Sequence, residues 1–128
     1  ANAGVGERSY PGEGTFHLDS KVIEINVLGA MATIDAGTEI LKKEGGGQIV
    51  GISSVAGFRG LSTTPAYSAS KAALSTYMEG IRNNLKQHKI AVTVLNPGFI
   101  DTPINTHRKS QPFLIYAEKG ARLMADMI

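Results

Sequence analysis

The chain contains no cysteine, which excludes a disulfide framework and any thiolate metal site and fits a reducing, cytoplasmic setting. Its histidines, His17, His88 and His107, are scattered and share no ligand spacing, so no metal site is expected. No apolar run reaches the roughly 18 residues that a membrane-spanning helix needs. Charge is not one-sided either. Lys and Arg number 13 against 11 Asp and Glu, for a net charge of +2. With no run of like charge and no interleaved aromatics, the chain lacks the footprint of a nucleic-acid binder. At 128 residues, 42% hydrophobic and 19% charged, it has ordinary globular composition and the length of one domain or part of one. Two further absences concern the ends. The first residue is Ala rather than Met, and the segment 117–128 reads as a helix with no Gly, Pro or capping signal to close it. Both suggest an internal piece of a longer protein, which leaves the question of a leader peptide open.

What is present is a single alternation of helical and strand patterns. Residues 1–18, with Gly4, Gly6, Pro11, Gly12 and Gly14, read as loop. Residues 19–43 place Ile23, Val27, Met31 and Ile34 at helical spacing, with Asp19 as N-cap and Gly45 as stop. Gly29 and Gly37 inside that helix each cost about 1 kcal/mol of propensity, so close packing against another element is expected there. Residues 48–53 read as a short buried strand, 65–88 as a second long helix and 90–95 as a further strand. Strands separated by long helices imply an α/β domain with a parallel sheet and right-handed crossovers. In such a sheet ligands bind beyond the carboxyl ends of the strands. Asn2 to Gly4, Ser54 and residues 97–102 all fall at such ends, which argues for one shared site.

The chemistry centres on Tyr67 and Lys71, four residues apart in Tyr67-Ser-Ala-Ser-Lys71 and following Ser54 in Gly51-Ile-Ser-Ser54-Val-Ala-Gly57. On a helix such a pair shares a face. The ammonium then favours the phenolate and lowers a pKa that starts near about 10, as general acid/base work near neutral pH requires. Ser54, ending a strand, could offer its hydroxyl to the same substrate oxygen. An isolated Tyr and Lys at this spacing would be an ordinary solvated helix face; the neighbours decide the reading.

Ser-Ser-x-Ala-Gly, then Tyr-x-x-x-Lys, then Asn96-Pro97-Gly98 after the next strand together resemble the short-chain dehydrogenase/reductase family. Asn2-Ala3-Gly4 resembles that family's Asn-Asn-Ala-Gly turn, with Ala1 in place of the first Asn, and Asn26 resembles its helical Asn. The order and spacing hold up to Thr102. The resemblance implies part of a Rossmann-like, doubly wound parallel sheet over residues 1–128, lacking its N-terminal strands. It also implies an NAD- or NADP-dependent oxidoreductase that moves a hydride between nicotinamide and a carbonyl or secondary alcohol. Tyr67 would be the acid/base, Lys71 its tuner and the holder of the ribose hydroxyls, and Ser54 the group that polarises the carbonyl. Spacing to the Tyr selects Ser54 over Ser53. Asn26 would help hold a water that relays protons to the Lys.

Asn2, Ala3, Gly4, Pro97, Gly98, Ile100 and Thr102 would contact the cofactor, and Phe58 and Phe99 are candidates for the substrate pocket, though core packing suits them equally. Residues 103–113 would form a substrate lid. No Gly-x-x-x-Gly-x-Gly follows a strand, so the family's phosphate-cradling loop is absent; Glu44-Gly45-Gly-Gly47-Gln48 precedes a strand and reads as a helix stop. A piece without that loop is expected to be inactive alone. Relatives commonly form dimers or tetramers, and Gly29, Gly37, Ala69, Ala72 and Gly80 would let the two long helices pack closely in a homodimer or homotetramer. The reading from another class is a catalytically dead scaffold or oligomerisation module of the same fold.

Overall fold

The computed structural model describes residues 1–105 and 111–128. Two parallel strands form its centre, β1 (Gly47–Ile52) and β2 (Ile90–Leu95), paired in register from Gly47 with Ile90 to Ile52 with Leu95. Parallel strands need a long crossover. Here it is α3 (Pro65–Lys86), which opens with Pro at its first turn, where the missing N–H costs nothing and the fixed φ suits a helix. Ahead of β1 run α1 (Phe16–Ile23), a π-helical segment (Glu24–Gly29) and α2 (Ala30–Lys43). The core forms where α2 and α3 cover the sheet: Ile34, Ile49, Leu74, Met78, Ile90 and Val92 are all buried. Ala1 extends the sheet at the other edge of β1, its nitrogen donating to the Val50 carbonyl at 2.6 Å and its carbonyl accepting from Ile52 N at 2.9 Å. No helix among the described residues is long and apolar enough to cross a membrane.

Several expected boundaries move, each for a physical reason. Asp19 is not the N-cap. The helix starts at Phe16, and the Thr15 hydroxyl at its cap position bonds the Tyr10 N–H and carbonyl across a turn instead of capping. Asp19 lies inside the first turn, where its charge complements the helix dipole. The expected continuous helix 19–43 is widened by the π-helical segment, which contains Asn26; π-bulges commonly occur at functional sites. Close packing at Gly29 and Gly37 does not occur among the described residues: a Cβ at Gly37 meets nothing within 4 Å there, and one at Gly29 meets only the Glu24 carbonyl.

Gly45, at φ +84°, does end α2 in the left-handed conformation that glycine tolerates. The second long helix stops at Lys86 rather than 88, and Lys89 at φ 57° turns the chain into β2. β1 begins one residue early, and Ser53 leaves the strand although its N–H still donates to Leu95 O at 2.8 Å. The last helix, α4 (Ala117–Ala125), ends before 128. Ahead of it lies a parallel pair that the sequence pattern did not reveal, β3 (Ile100–Asp101) and β4 (Ile115–Tyr116). Two residues per strand are too few to show alternation.

Candidate active site

The carboxyl end of β1 is fixed to α3 by serine hydroxyls. Ser53 is 2% exposed; its Oγ donates to the Lys71 carbonyl at 2.8 Å and accepts from Ser75 Oγ at 2.8 Å. Ser54 follows in extended conformation and caps a 3-10 turn (Val55–Phe58), its Oγ accepting from Ala56 N at 3.1 Å. Its own hydrogen meets only the Pro97 carbonyl, at a long 3.5 Å, beyond the usual range for an O–H donor. One acceptor lone pair of this hydroxyl is therefore committed and the donor side is nearly free. Gly57 lets the turn lie flat on α3, since a Cβ there would stand 3.0 Å from the Ala72 nitrogen and the Lys71 carbonyl carbon.

Tyr67 and Lys71 project from the first turns of α3, as their spacing requires. The Lys71 Nζ lies 5.7 Å from the Tyr67 ring centroid, within cation–π reach, and donates to the Ile52 carbonyl at 2.9 Å. Lys71 is 5% exposed, and burial holds its pKa below that of a solvated lysine. The loop carrying Gly4 passes over this amine: a Cβ at Gly4 would be 3.6 Å from Nζ and 3.3 Å from Asn26 Oδ1. Asn26, 2% exposed, holds that loop. Its Oδ1 accepts from Val5 N at 2.8 Å, and its Nδ2 donates to Val5 O at 2.9 Å and to Ser70 Oγ at 3.0 Å. Ser70 Oγ in turn donates to the Tyr67 carbonyl at 2.7 Å. The amide of Asn26 thus holds the Val5 loop and Ser70, and Asn26 lines neither cavity described below.

Two cavities flank Tyr67. The larger, about 380 Å³, is lined by Asn2 and Gly4, by Ser54, Tyr67 and Lys71, and by Pro97, Gly98, Ile100 and Thr102. The smaller, about 170 Å³, is lined by Ser54, Val55, Ala56, Arg59, Leu61, Tyr67, Gly98 and Phe99. They meet at Ser54, Tyr67 and Gly98. The structure therefore gathers nearly every residue selected from the sequence around one point. Asn26, Ala3 and Phe58 line neither of these two cavities; Asn26 is buried behind the Gly4 loop, whereas Ala3 and Phe58 are exposed, Phe58 at 61%.

The match to known proteins follows the same stretch. A family model described as short chain dehydrogenase matches residues 1–112. The chain belongs to this family. An uncharacterized oxidoreductase of Myxococcus xanthus is 40% identical over 129 residues, covering 100% of this chain and 51% of that protein. Dehydrogenase/reductase SDR family member 7B of Mus musculus is 34% identical over 83% of this chain and 33% of its own length. Among solved structures, acetoin dehydrogenase from Salmonella typhimurium superposes with a TM-score of 0.84 at 28% identity, over 98% of this chain and 55% of that one. A protein described as an NAD(P)-dependent gluconate 5-dehydrogenase from Beutenbergia cavernae, with bound NADP at low occupancy, gives 0.77 at 26% identity, over 81% and 42%. The chain spans about half the length of the curated relatives it matches, or less. Its fold is accordingly part of the family's Rossmann-like α/β sheet.

Sequence reasoning missed several residues at this short-chain dehydrogenase site. Ala117 and Met124 close the larger cavity, brought there by the β3–β4 pair, whose shortness hid it, beside Ile104 of the expected lid. Arg59 and Leu61 line the smaller one, on a stretch with no periodicity. Ser70 was legible in principle, inside Tyr67-Ser-Ala-Ser-Lys71, but nothing in the sequence pairs it with Asn26. Of the expected lid, residues 106–110 with His107 lie outside the described residues.

Proposed function

We propose that this chain is the catalytic portion of an NAD(P)-dependent oxidoreductase acting on a carbonyl or secondary alcohol. The supporting observation is the meeting of two cavities at Ser54 and Tyr67, with Lys71 beside the tyrosine in the larger one. The residues present suit the nicotinamide and ribose end of the cofactor. Lys71 has N–H donors beyond the one given to Ile52, and Pro97, Gly98, Ile100 and Thr102 offer backbone and hydroxyl groups around the ring's place. The diphosphate has no glycine-rich loop in this sequence, so the activity is assigned to a full-length protein rather than to the chain alone.

When bound, the nicotinamide supplies or accepts the hydride. Tyr67 gives its phenolic proton to the carbonyl oxygen in reduction and takes it back from the alcohol in oxidation, and solvent restores the difference. Ser54 donates its nearly free hydroxyl hydrogen to the same oxygen, fixing the carbonyl against Tyr67. Lys71 favours the phenolate by proximity and keeps its amine aligned through Ile52. Asn26 and Ser70 position the loop and the helix turn that carry these groups.

We place the protein in the cytoplasm and assemble it as a homodimer or homotetramer through α2 and α3, whose Gly37 and Gly80 have, among the described residues, no neighbour within 4 Å of a Cβ position. The deciding experiment follows NAD(P)H oxidation by the full-length protein with a panel of small carbonyl compounds. Turnover that depends on Tyr67 supports the reading. Nicotinamide binding absent from the full-length protein would support a scaffold instead.

A further inference from the structure

We propose that Arg59 sets the substrate class of this site by holding the carboxylate of a small keto or hydroxy acid whose reacting carbon lies at Tyr67. The inference rests on the redox reading above and adds the substrate's second anchor.

The smaller cavity is walled by Val55, Ala56, Leu61 and Phe99, and its polar chemistry lies in Ser54 and Tyr67 on one hand and Arg59 on the other. Among the described residues Arg59 is the only charged one lining it. Apolar pockets with a few placed polar groups draw their specificity from those groups. The Arg59 guanidinium makes one hydrogen bond, from Nη1 to the Phe58 carbonyl at 2.9 Å, which steadies the head against the adjacent backbone. Among the described residues no carboxylate lies within ion-pair distance of it. The remaining N–H donors form a planar fork that matches a carboxylate in two-point contact.

An apolar cavity of about 170 Å³ with one unpaired cation favours a short chain ending in an anion. The acid group at Arg59 and the carbonyl or hydroxyl at Ser54 and Tyr67 then orient the substrate at two points. That arrangement presents one carbon to the larger cavity, where the nicotinamide would lie.

The test uses the full-length protein, the variants Arg59→Gln and Arg59→Lys, and paired probes: acetoacetate with methyl acetoacetate for reduction, 3-hydroxybutyrate with its methyl ester for calorimetric binding. Turnover and binding are read separately. The expected result is a wild-type preference for each acid over its ester of about tenfold or more, set mainly in KM. Arg59→Gln abolishes the preference, its loss falling far more on the acid than on the ester, and Arg59→Lys retains part of it. If acid and ester bind alike in the wild type, or if Arg59→Gln weakens both equally, the assignment of Arg59 is overturned, whatever the turnover. If binding of the acid depends on Arg59 but neither probe is reduced or oxidised, Arg59 stands and the redox reading falls. If esters are turned over through Tyr67 without any acid preference, the redox reading stands and Arg59 does not.

Discussion

Helices α2 and α3 flank the same two strands, yet the chain uses them differently. α3 buries Ser68, Ser70, Lys71, Leu74, Met78 and Leu85, with both strands and the 3-10 turn packed against it. α2 buries only Ala30 and Ile34, leaves Ile40 59% exposed, and borders an open groove of about 330 Å³ lined by Ile34, Ile40, Leu41 and Ile49 along the edge of β1. The helix that carries Tyr67 and Lys71 is thus held by packing against both strands and the 3-10 turn. α2 reaches the site only through the π-helical junction before it, where Asn26 grips the Val5 loop and Ser70. The site's geometry is a local property of one packed seam, even though the apolar surface beside it is left open.

The largest expected effect falls on that seam. Tyr67→Phe in the full-length protein removes one oxygen and no packing, so turnover should drop by about a thousandfold or more, while the fold and nicotinamide affinity stay intact. Steady-state kinetics beside a fluorescence titration of the cofactor check both halves. Activity within about tenfold of wild type, about 1.4 kcal/mol of barrier, would remove Tyr67 from the acid/base role.

A second comparison tests whether the two helices are as unequal as they look. Met78 on α3 is 0% exposed and packs in the core; Met78→Ala should cost about 2–5 kcal/mol, the range for large-to-small core changes. Ile40→Ala on α2 should cost less than about 0.5 kcal/mol, as at other exposed positions. Urea unfolding of both variants gives the two numbers. A loss at Ile40 as large as that at Met78 would mean that the groove is covered in solution, and light scattering of the same samples would tell whether a second copy covers it.

What the sequence made legible follows the same division. Ser54, Tyr67 and Lys71 were readable because their chemistry depends on local spacing, one helical turn and one strand end, which the chain order preserves. The two strands and the crossover helix were readable because their apolar periods are long. The π-helical widening was not. It accompanies a tertiary grip, Val5 to Asn26 to Ser70, whose members are 21 and 44 residues apart. Arg59 was missed for a related reason: an arginine in an aperiodic loop gains meaning only when the fold places it in the cavity that Tyr67 also lines. Phe58 lines neither cavity because the 3-10 turn that brings Ser54 to the site leaves the end of that turn in solvent.

The junction gives a third, smaller effect. Asn26→Ala leaves the Val5 N–H and carbonyl without their side-chain partner and Ser70 without a donor, so stability should fall by about 1–3 kcal/mol, the usual penalty for stranding buried polar groups. Because the Gly4 loop then loosens over Lys71, nicotinamide affinity in the full-length protein should weaken as well. Unchanged affinity with reduced stability would confine Asn26 to the fold.

A small net effect on stability at neutral pH should also come from Lys71, and it separates a residue kept for chemistry from one kept for packing. Burial lowers the Lys71 pKa from the ordinary 10.5, so in the window between the lowered value and 10.5 the unfolded chain binds more protons than the folded one. Stability therefore rises with pH across that window, by linkage, and below it the full cost of the buried ammonium is present. Lys71→Met removes that cost and also removes the Nζ bond to the Ile52 carbonyl. The two changes oppose each other, so neutral-pH stability should shift by no more than about 1 kcal/mol. The rise toward alkaline pH should flatten in the variant, while acid/base turnover and nicotinamide affinity collapse in the full-length protein. Urea titrations at a series of pH values check the slope. A variant with the wild-type slope would show that Lys71 does not carry this pH dependence, and one that is much less stable would show that the amine is structural, held for its bond to β1 rather than for Tyr67.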